Sequence, residues 1–192
     1  MKKIISLFLR EYDTKLRKIK DEVVPGAEWV VDGEGVATRK YDGTCVLIDN
    51  GKMWKRYEIK KGGHPPFGFK PANDPDPVTG KQQGWVEVGN GNEDKWHREA
   101  VGGDPDHVAL PDGTYELIGE KIQGNPENIE GHKLQKHSDA EQYTDFPRTY
   151  QEIKDRLEHM GIEGVVWHHP DGRMVKIKKK DFYYEHQTPP NN

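Results

Sequence analysis

The chain has 192 residues, 33 acidic against 29 basic side chains with a formal net charge of −4, and a single cysteine, Cys45. This length favours one domain over two, and with one cysteine we expect neither a disulfide framework nor a thiolate metal site. Because the net charge is negative, a nucleic-acid partner would need a local basic patch. We therefore expect a single domain over residues 1–192, in the cytoplasm.

The first segment predicts an amphipathic helix within residues 1–24. Its apolar residues recur at helical spacing, with charged residues between them, and the pattern ends near Pro25. Arg10, Glu11 and Asp13 interrupt the apolar run, which argues against a signal peptide. No stretch is long enough to span a bilayer, so a helix lying on a membrane surface is the remaining alternative to a helix packed on a sheet.

Short strands are expected next, at residues 28–31 and 36–40. The dipeptide Asn50-Gly51 is a preferred two-residue turn between two apolar runs. It predicts an antiparallel hairpin in which Leu47 lies opposite Trp54.

Residues 60–81 are dominated by Gly, Pro, Asp and Lys, a composition that predicts an irregular surface loop. A lid or substrate-binding arm is the alternative. The alternating residues 85–88 predict a strand, and we expect Trp96 to begin the returning strand.

Two carboxylates belong to the strand expected at residues 114–120. Glu116 and Glu120 are an even number of residues apart, so both face one side of a strand, where either could contact a cation or a ribose hydroxyl. The solvent face of an edge strand is the alternative. His132 and His137 follow in a polar stretch without a cysteine or a helical pattern, and we expect exposed loop histidines rather than a metal site.

A capping-box pattern begins at Thr149 and predicts a helix that ends at Gly161. Two strands follow, around a turn at Asp171-Gly172. If that turn has two residues, Glu163, Lys176 and Lys178 share one face of the hairpin. An ordinary cross-strand charge cluster is the alternative. Residues 179–192 are expected to form a polar tail.

Lys40 stands in the sequence Lys-Tyr-Asp-Gly, directly before the apolar run 44–48. Taken alone, this tetrapeptide predicts a plain hairpin turn with no chemistry attached. Lys-x-Asp-Gly is also short enough to occur by chance, so it needs support from other parts of the chain.

That support is a series of motifs in a fixed order, which resembles the covalent nucleotidyltransferases, the superfamily of polynucleotide ligases and mRNA capping enzymes. The resemblance covers most of the chain and is closest to small ATP-dependent 5′-to-3′ RNA ligases. The matching stretches are Lys40-Tyr-Asp-Gly-Thr-Cys45, Gly84-Trp-Val, Trp96-His97, Glu116-Leu-Ile-Gly119 with Gly124-Asn-Pro126, and Glu163-Gly-Val-Val-Trp-His168 with Asp171-Gly172 before Lys176.

The resemblance implies an α+β nucleotidyltransferase (ATP-grasp-like ligase) domain of antiparallel sheets flanked by helices, without a C-terminal OB-fold. It also implies a reaction in which Lys40 attacks the α-phosphorus of ATP to form lysyl-AMP. Asp42 and Gly43 would fix the turn that aims Lys40. The implied phosphate-neutralising residues are Lys176 and Lys178.

The remaining implied contacts are Arg56 to a phosphate or ribose, Glu116 to ribose or metal with Glu120 as the substitute, and Glu163 to metal. Phe146 is our candidate for stacking on adenine, with a place in the core as the alternative.

These roles imply ATP with Mg²⁺, or Mn²⁺, as cofactors. The implied partners are RNA ends, one with a 5′-phosphate and one with a 3′-hydroxyl, joined by a monomer in RNA repair. Two alternatives stay open: a GTP-using capping-type nucleotidyltransferase, and a nonenzymatic module that binds RNA or nucleotides.

Overall fold

The computed structural model describes residues 4–11 and 18–182, which form a mixed α+β fold of mostly antiparallel sheets with few helices. The α+β class expected from the sequence is therefore confirmed. The strands are β1 (Ile5–Ser6), β2 (Phe8–Arg10), β3 (Ile19–Val23), β4 (Val36–Lys40), β5 (Thr44–Asp49), β6 (Lys52–Ile59), β7 (Lys70–Pro71), β8 (Gln82–Glu87), β9 (Gly113–Gly119), β10 (His132–Lys136), β11 (Gln142–Tyr143), β12 (Gly164–His168) and β13 (Met174–Lys178). The α-helices are α1 (Glu28–Val31), α2 (Lys95–Glu99), α3 (Tyr150–Glu158) and α4 (Lys179–Phe182).

The described chain divides into two compact units. Residues 41–140 form the first, called here the middle unit. Residues 4–11, 18–40 and 141–182 belong to the second, called the terminal unit. The single domain expected over residues 1–192 stays a prediction.

The terminal unit is built on a five-stranded sheet in the order β1-β13-β12-β4-β11, in which only the β1–β13 pair is parallel. Alternate residues of its strands turn an apolar face to the core. Helix α3 and the two-stranded β2–β3 sheet contribute to the same core. Its fully buried residues include Leu7, Phe8, Ile153, Leu157, Val165, Trp167, Val175 and Ile177.

The middle unit is built on a six-stranded antiparallel sheet in the order β10-β9-β5-β6-β8-β7. The predicted hairpin between β5 and β6 is confirmed, with Leu47 opposite Trp54. Asn50 and Gly51 both have positive φ, at 52° and 74°, which is the backbone that this two-residue turn requires.

The helix predicted within residues 1–24 is wrong for the described residues. They form strands β1, β2 and β3, and β2 pairs with β3 through Phe8 opposite Val23. Short apolar runs satisfy strand and helix spacing alike, so periodicity alone did not separate them. Residues 1–3 and 12–17 lie outside the described part of the chain.

Two predicted strands are helical instead. Residues 28–31 form α1, which buries Trp29 and Val30, and Trp96 lies in α2. These segments are too short for a pattern to distinguish a strand from a single helical turn. Helix α3 is confirmed, although the Thr149 hydroxyl donates to the Glu152 carboxylate instead of capping a backbone N–H.

The loop expected at residues 60–81 is irregular apart from the two-residue strand β7. The polar tail expected at 179–192 begins differently, because residues 179–182 form α4 and bury Asp181 and Phe182. Residues 183–192 lie outside the described chain. None of the helices described has the length and apolar character needed to cross a membrane.

Candidate functional site

Three adjacent strands of the terminal unit bring the predicted lysines together. In the strand register, Gly164 of β12 lies opposite Lys40 of β4 on one side and opposite Lys178 of β13 on the other. Val166 is similarly opposite Lys176. Because Val165 is fully buried in the core, the row of Lys40, Gly164 and Lys178 occupies the opposite face of the sheet.

Gly164 is needed at the centre of that row. A Cβ atom at this position would lie 2.1 Å from the carbonyl oxygen of Ile177 and 2.8 Å from the Cα of Lys178. The close approach of β12 and β13 therefore requires the absence of a side chain here.

Glu163, directly before β12, is the acid that the two lysines share. Lys40 Nζ lies 2.5 Å from Oε2 of Glu163, and Lys178 Nζ donates to Oε1. The Glu163 side chain is 4% exposed, whereas those of Lys40 and Lys178 are 19% and 21% exposed. The site is thus a buried carboxylate held between two half-buried ammonium groups.

The structure corrects the register that led us to expect this cluster. His168 pairs with Met174, so the connection is longer than the predicted two-residue turn, and Gly164 rather than Glu163 lies in the row with Lys178. The cluster still forms because Glu163 precedes the strand, where its side chain does not follow the strand alternation.

The charges in this cluster shift the pKa of two members. Burial alone would raise the pKa of Glu163, but the ammonium groups of Lys40 and Lys178 bring it below its ordinary value. Burial, together with repulsion from Lys178 and Lys40, lowers the pKa of Lys176 to about 8. Across residues 4–11 and 18–182, no side chain forms a hydrogen bond or ion pair with the Lys176 ammonium, which suits it to receive an anion.

Asp181 supports the end of β13 and was missed at the level of sequence. It is 3% exposed, forms an ion pair with Arg10, and accepts a hydrogen bond from the backbone N–H of Lys178 at 3.1 Å. Asp181 lies in a segment that the sequence predicts to be a polar tail, and no pattern there indicates a buried ion pair.

In the middle unit, Arg56 of β6 packs its guanidinium 4.9 Å from the centre of the Trp85 ring, and its Nε donates to Gln83 at 3.1 Å. Burial lowers the pKa of Arg56, while Cys45 acts in the opposite direction. The guanidinium is therefore stacked and oriented, as expected of an anion contact.

The Asp42-Gly43 dipeptide is not the turn of a hairpin, because β4 and β5 belong to different sheets. The backbone N–H of Asp42 donates to Oε1 of Glu127 at 2.9 Å. A Cβ on Gly43 would lie 2.2 Å from the carbonyl oxygen of Leu117, so a glycine is needed for this close approach to β9.

Glu116 of β9 is buried and lies opposite Cys45 of β5. Its Oε2 is 3.0 Å from Nε2 of His137, and the ligand atoms of Cys45, Glu116 and His137 all lie within 4.8 Å of one another. His137 is therefore not the solvent-exposed loop histidine that we expected, since its side chain is 27% exposed and contacts Glu116. Strand pairing across β9, which the polar sequence around His137 does not reveal, brings it to Glu116.

His132 also differs from the expectation of an exposed loop residue. Its ring stacks on Trp96 with centroids 4.5 Å apart, and its Nδ1 lies 2.8 Å from a Glu99 oxygen. With its side chain 2% exposed, it is a packed residue at the start of β10, whereas His137 follows the end of that strand.

Two further predicted residues make other contacts. Glu120 is exposed just after β9, and its carboxylate accepts a hydrogen bond from the backbone N–H of Gly131 at 3.1 Å. Phe146 is 5% exposed and packs against Tyr143 and Trp167, which supports the core alternative over adenine stacking.

Glu163 is one of the three carboxylates expected to bind a metal ion, with Glu116 and Glu120. Each oxygen of Glu163 accepts a hydrogen bond from a lysine, so an ion bound here would compete with these ammonium groups. In the described part of the chain, the one group of three or more potential metal ligands is Cys45, Glu116 and His137. Its sulfur and nitrogen are poor ligands for Mg²⁺.

Neither a scan against protein-family models nor a search of curated proteins found a match to this chain. The resemblance to nucleotidyltransferases therefore depends on the motifs themselves.

Proposed function

We propose that the chain is an ATP-dependent RNA ligase that forms a lysyl-AMP intermediate on Lys40. The observation that supports this most directly is the terminal-unit cluster, in which Lys40, Lys176 and Lys178 project from one face of a sheet around Glu163. A nucleophilic lysine with two further lysines beside it combines the attacking group and the phosphate-binding groups that nucleotidyl transfer needs.

In the first step, Nζ of Lys40 attacks the α-phosphorus of ATP. A bond forms between nitrogen and phosphorus, and the bond from that phosphorus to the bridging oxygen breaks, releasing pyrophosphate. The ammonium gives up two protons in the process. Glu163 is the carboxylate in contact with Nζ and is the first acceptor on the path to solvent.

Lys176 and Lys178 would stabilise the negative charge that builds on the α-phosphate and on the leaving pyrophosphate. Lys176 suits this role because it has no competing partner in the described chain and its pKa is lowered to about 8. A bound phosphate would place a negative charge beside the Lys176 ammonium and so stabilise its protonated form.

In the second and third steps, AMP moves from Lys40 to the 5′-phosphate of an RNA end, and a 3′-hydroxyl displaces AMP to join the strands. The resemblance assigns nucleotide contacts in the middle unit to Asp42, Gly43, Arg56 and Glu116. Mg²⁺ or Mn²⁺ would arrive with the nucleotide phosphates and neutralise their charge. We further propose that the protein acts as a monomer in the cytoplasm, on RNA ends in need of repair.

Covalent labelling tests this proposal. The purified chain is incubated with Mg²⁺ and ATP labelled at the α-phosphate, and protein-bound label is measured after denaturation. Wild type should become labelled, and Lys40→Ala and Lys40→Arg should not. Arginine retains the positive charge beside Glu163, so its failure would separate chemistry from folding. Lys20→Ala is the matched control, a half-exposed lysine of the terminal unit paired with Glu22, and should label like wild type.

The alternatives give different results in the same assay. Label from GTP but not from ATP would replace the ligase with a capping-type enzyme. Absence of label from either nucleotide, with binding of RNA or nucleotide retained, would indicate a nonenzymatic module. If lysyl-AMP forms, a 5′-phosphorylated RNA should remove the label and yield adenylated RNA, followed by a joined product.

A further inference from the structure

We propose that Cys45, Glu116 and His137 form a binding site for one divalent ion of the zinc class, separate from any magnesium that accompanies a nucleotide. Their ligand atoms, one sulfur, one carboxylate oxygen and one imidazole nitrogen, lie within 4.8 Å of one another. This site does not depend on the proposed ligase activity.

The sheet of the middle unit holds two of the ligands in a fixed relationship. Cys45 and Glu116 are direct partners across β5 and β9, so their side chains leave the same face of the sheet. Ligands carried by paired strands need little reorganisation to bind an ion.

His137 completes the group from the residue after β10. Its Nδ1 lies 2.9 Å from the hydroxyl of Thr114, and its Nε2 lies 3.0 Å from Oε2 of Glu116. If Nδ1 donates its proton to Thr114, Nε2 is left with its lone pair directed at the group. A histidine ligand held through its second nitrogen is typical of zinc sites.

The chemistry of the three ligands favours zinc over magnesium or calcium. Sulfur and imidazole are preferred by Zn²⁺ and Co²⁺, whereas magnesium and calcium prefer oxygen alone. Zinc bonds of about 2.0–2.3 Å place ligand atoms roughly 3.3–3.8 Å apart, so rotamer adjustments would suffice for coordination. With three protein ligands, a tetrahedral ion keeps a fourth position for water.

The positive charge of Arg56 limits how strongly the group can bind a cation. Its guanidinium interacts electrostatically with Cys45. The same positive charge opposes a dication. A thiolate and a carboxylate together balance the charge of the ion, and the proton released by Cys45 passes to solvent.

Cobalt binding tests the site without nucleotide or RNA. Adding Co²⁺ to the wild-type chain should give one equivalent of bound ion with thiolate-to-cobalt charge-transfer absorption in the near ultraviolet, and Zn²⁺ should remove that absorption. Cys45→Ser should abolish the charge-transfer band, and His137→Gln should weaken Co²⁺ binding at least tenfold. His107→Gln is the control, since His107 forms an exposed pair with Asp104 that lacks a thiol, and its titration should match wild type.

A wild-type titration without thiolate charge transfer would overturn the proposal, as would a Cys45→Ser spectrum identical to wild type. If Cys45→Ser fails to fold by circular dichroism, the wild-type band and its response to His137→Gln decide the question. Glu116 is also an implied nucleotide contact, so the cobalt titration is carried out without nucleotide and its result is read separately from covalent labelling at Lys40.

Discussion

Lys40 and Lys178 lie on strands that do not pair with each other, yet their ammonium groups meet at the two oxygens of one carboxylate. The strand between them, β12, contributes Gly164 at the level of both lysines. A Cβ at Gly164 would meet the backbone of β13, so the close approach of β12 and β13 requires glycine here. The arrangement makes four measurable predictions.

Gly164→Ala should destabilise the terminal unit by about 1–3 kcal/mol, because the new methyl group would overlap the backbone of β13. Thermal unfolding followed by circular dichroism measures the change. Gly161→Ala is the control, since a Cβ there meets nothing within 4 Å. Equal unfolding temperatures for the two variants would contradict the close approach of β12 and β13.

Glu163→Gln should lower the free energy of unfolding by about 1.5–3 kcal/mol at pH 7, because two ammonium groups lose their charged acceptor. The pKa of Glu163 is lowered in the folded state, so its contribution is fully present above the pKa of the unfolded chain. The contribution is lost as pH falls through the lower, folded-state pKa. Urea unfolding between pH 2.5 and about 7 should therefore show the difference between variant and wild type shrinking towards acid.

The control for this measurement is Glu158→Gln, which removes an exposed carboxylate at the end of α3. Its difference from wild type should be small throughout. A Glu163→Gln difference that stays constant with pH would show that the carboxylate charge does not support the fold.

Lys176→Met should stabilise the fold at pH 7 by about 1–3 kcal/mol, since the folded protein holds this ammonium at an energetic cost. The folded-state pKa is about 8, below the ordinary value of 10.5. Wild type should therefore gain stability as pH rises from about 8 towards 10.5, and the difference from the variant should disappear over that range. Lys180→Met, at an exposed lysine, is the control.

The same Lys176→Met variant should lose lysyl-AMP formation, so stability and activity should move in opposite directions.

Phe146→Ala should destabilise the terminal unit by about 3–5 kcal/mol, because the ring packs in the core against Tyr143 and Trp167. At temperatures where the variant stays folded, the ATP concentration that gives half-maximal labelling should equal that of wild type. Phe67→Ala removes an exposed ring and should change neither quantity. A large rise in the ATP requirement of Phe146→Ala would restore the adenine-stacking role.

Local turn chemistry predicted part of this fold well. Asn50-Gly51 determines the register of its hairpin because few dipeptides adopt two successive positive φ angles, so Leu47 and Trp54 were paired correctly. Helix α3 was predictable for a similar reason, since it has a defined start and a buried stripe of Ile153 and Leu157.

The sequence predicted which residues belong to the candidate site, but not the strand register that brings them together. Glu163, Lys176 and Lys178 were grouped from a turn length that proved wrong, and the group survives because Glu163 lies outside the strand alternation. The contacts of His137 and Asp181 depend on pairings between segments distant in sequence, which no local pattern contains. For the N-terminal segment, helix and strand spacings coincide over such short apolar runs.

Strand β4 ends at Lys40, where the chain leaves the terminal unit, and the chain pairs with β4 again when it returns at β11. The backbone N–H of Arg39 donates to the carbonyl oxygen of Glu141, and β11 pairs with β4 immediately afterwards. Residues 41–140 thus leave and rejoin the terminal unit at neighbouring points, as an insertion does. All five strands of that sheet lie outside residues 41–140, so the lysine-bearing sheet is assembled from the two chain segments that flank the middle unit.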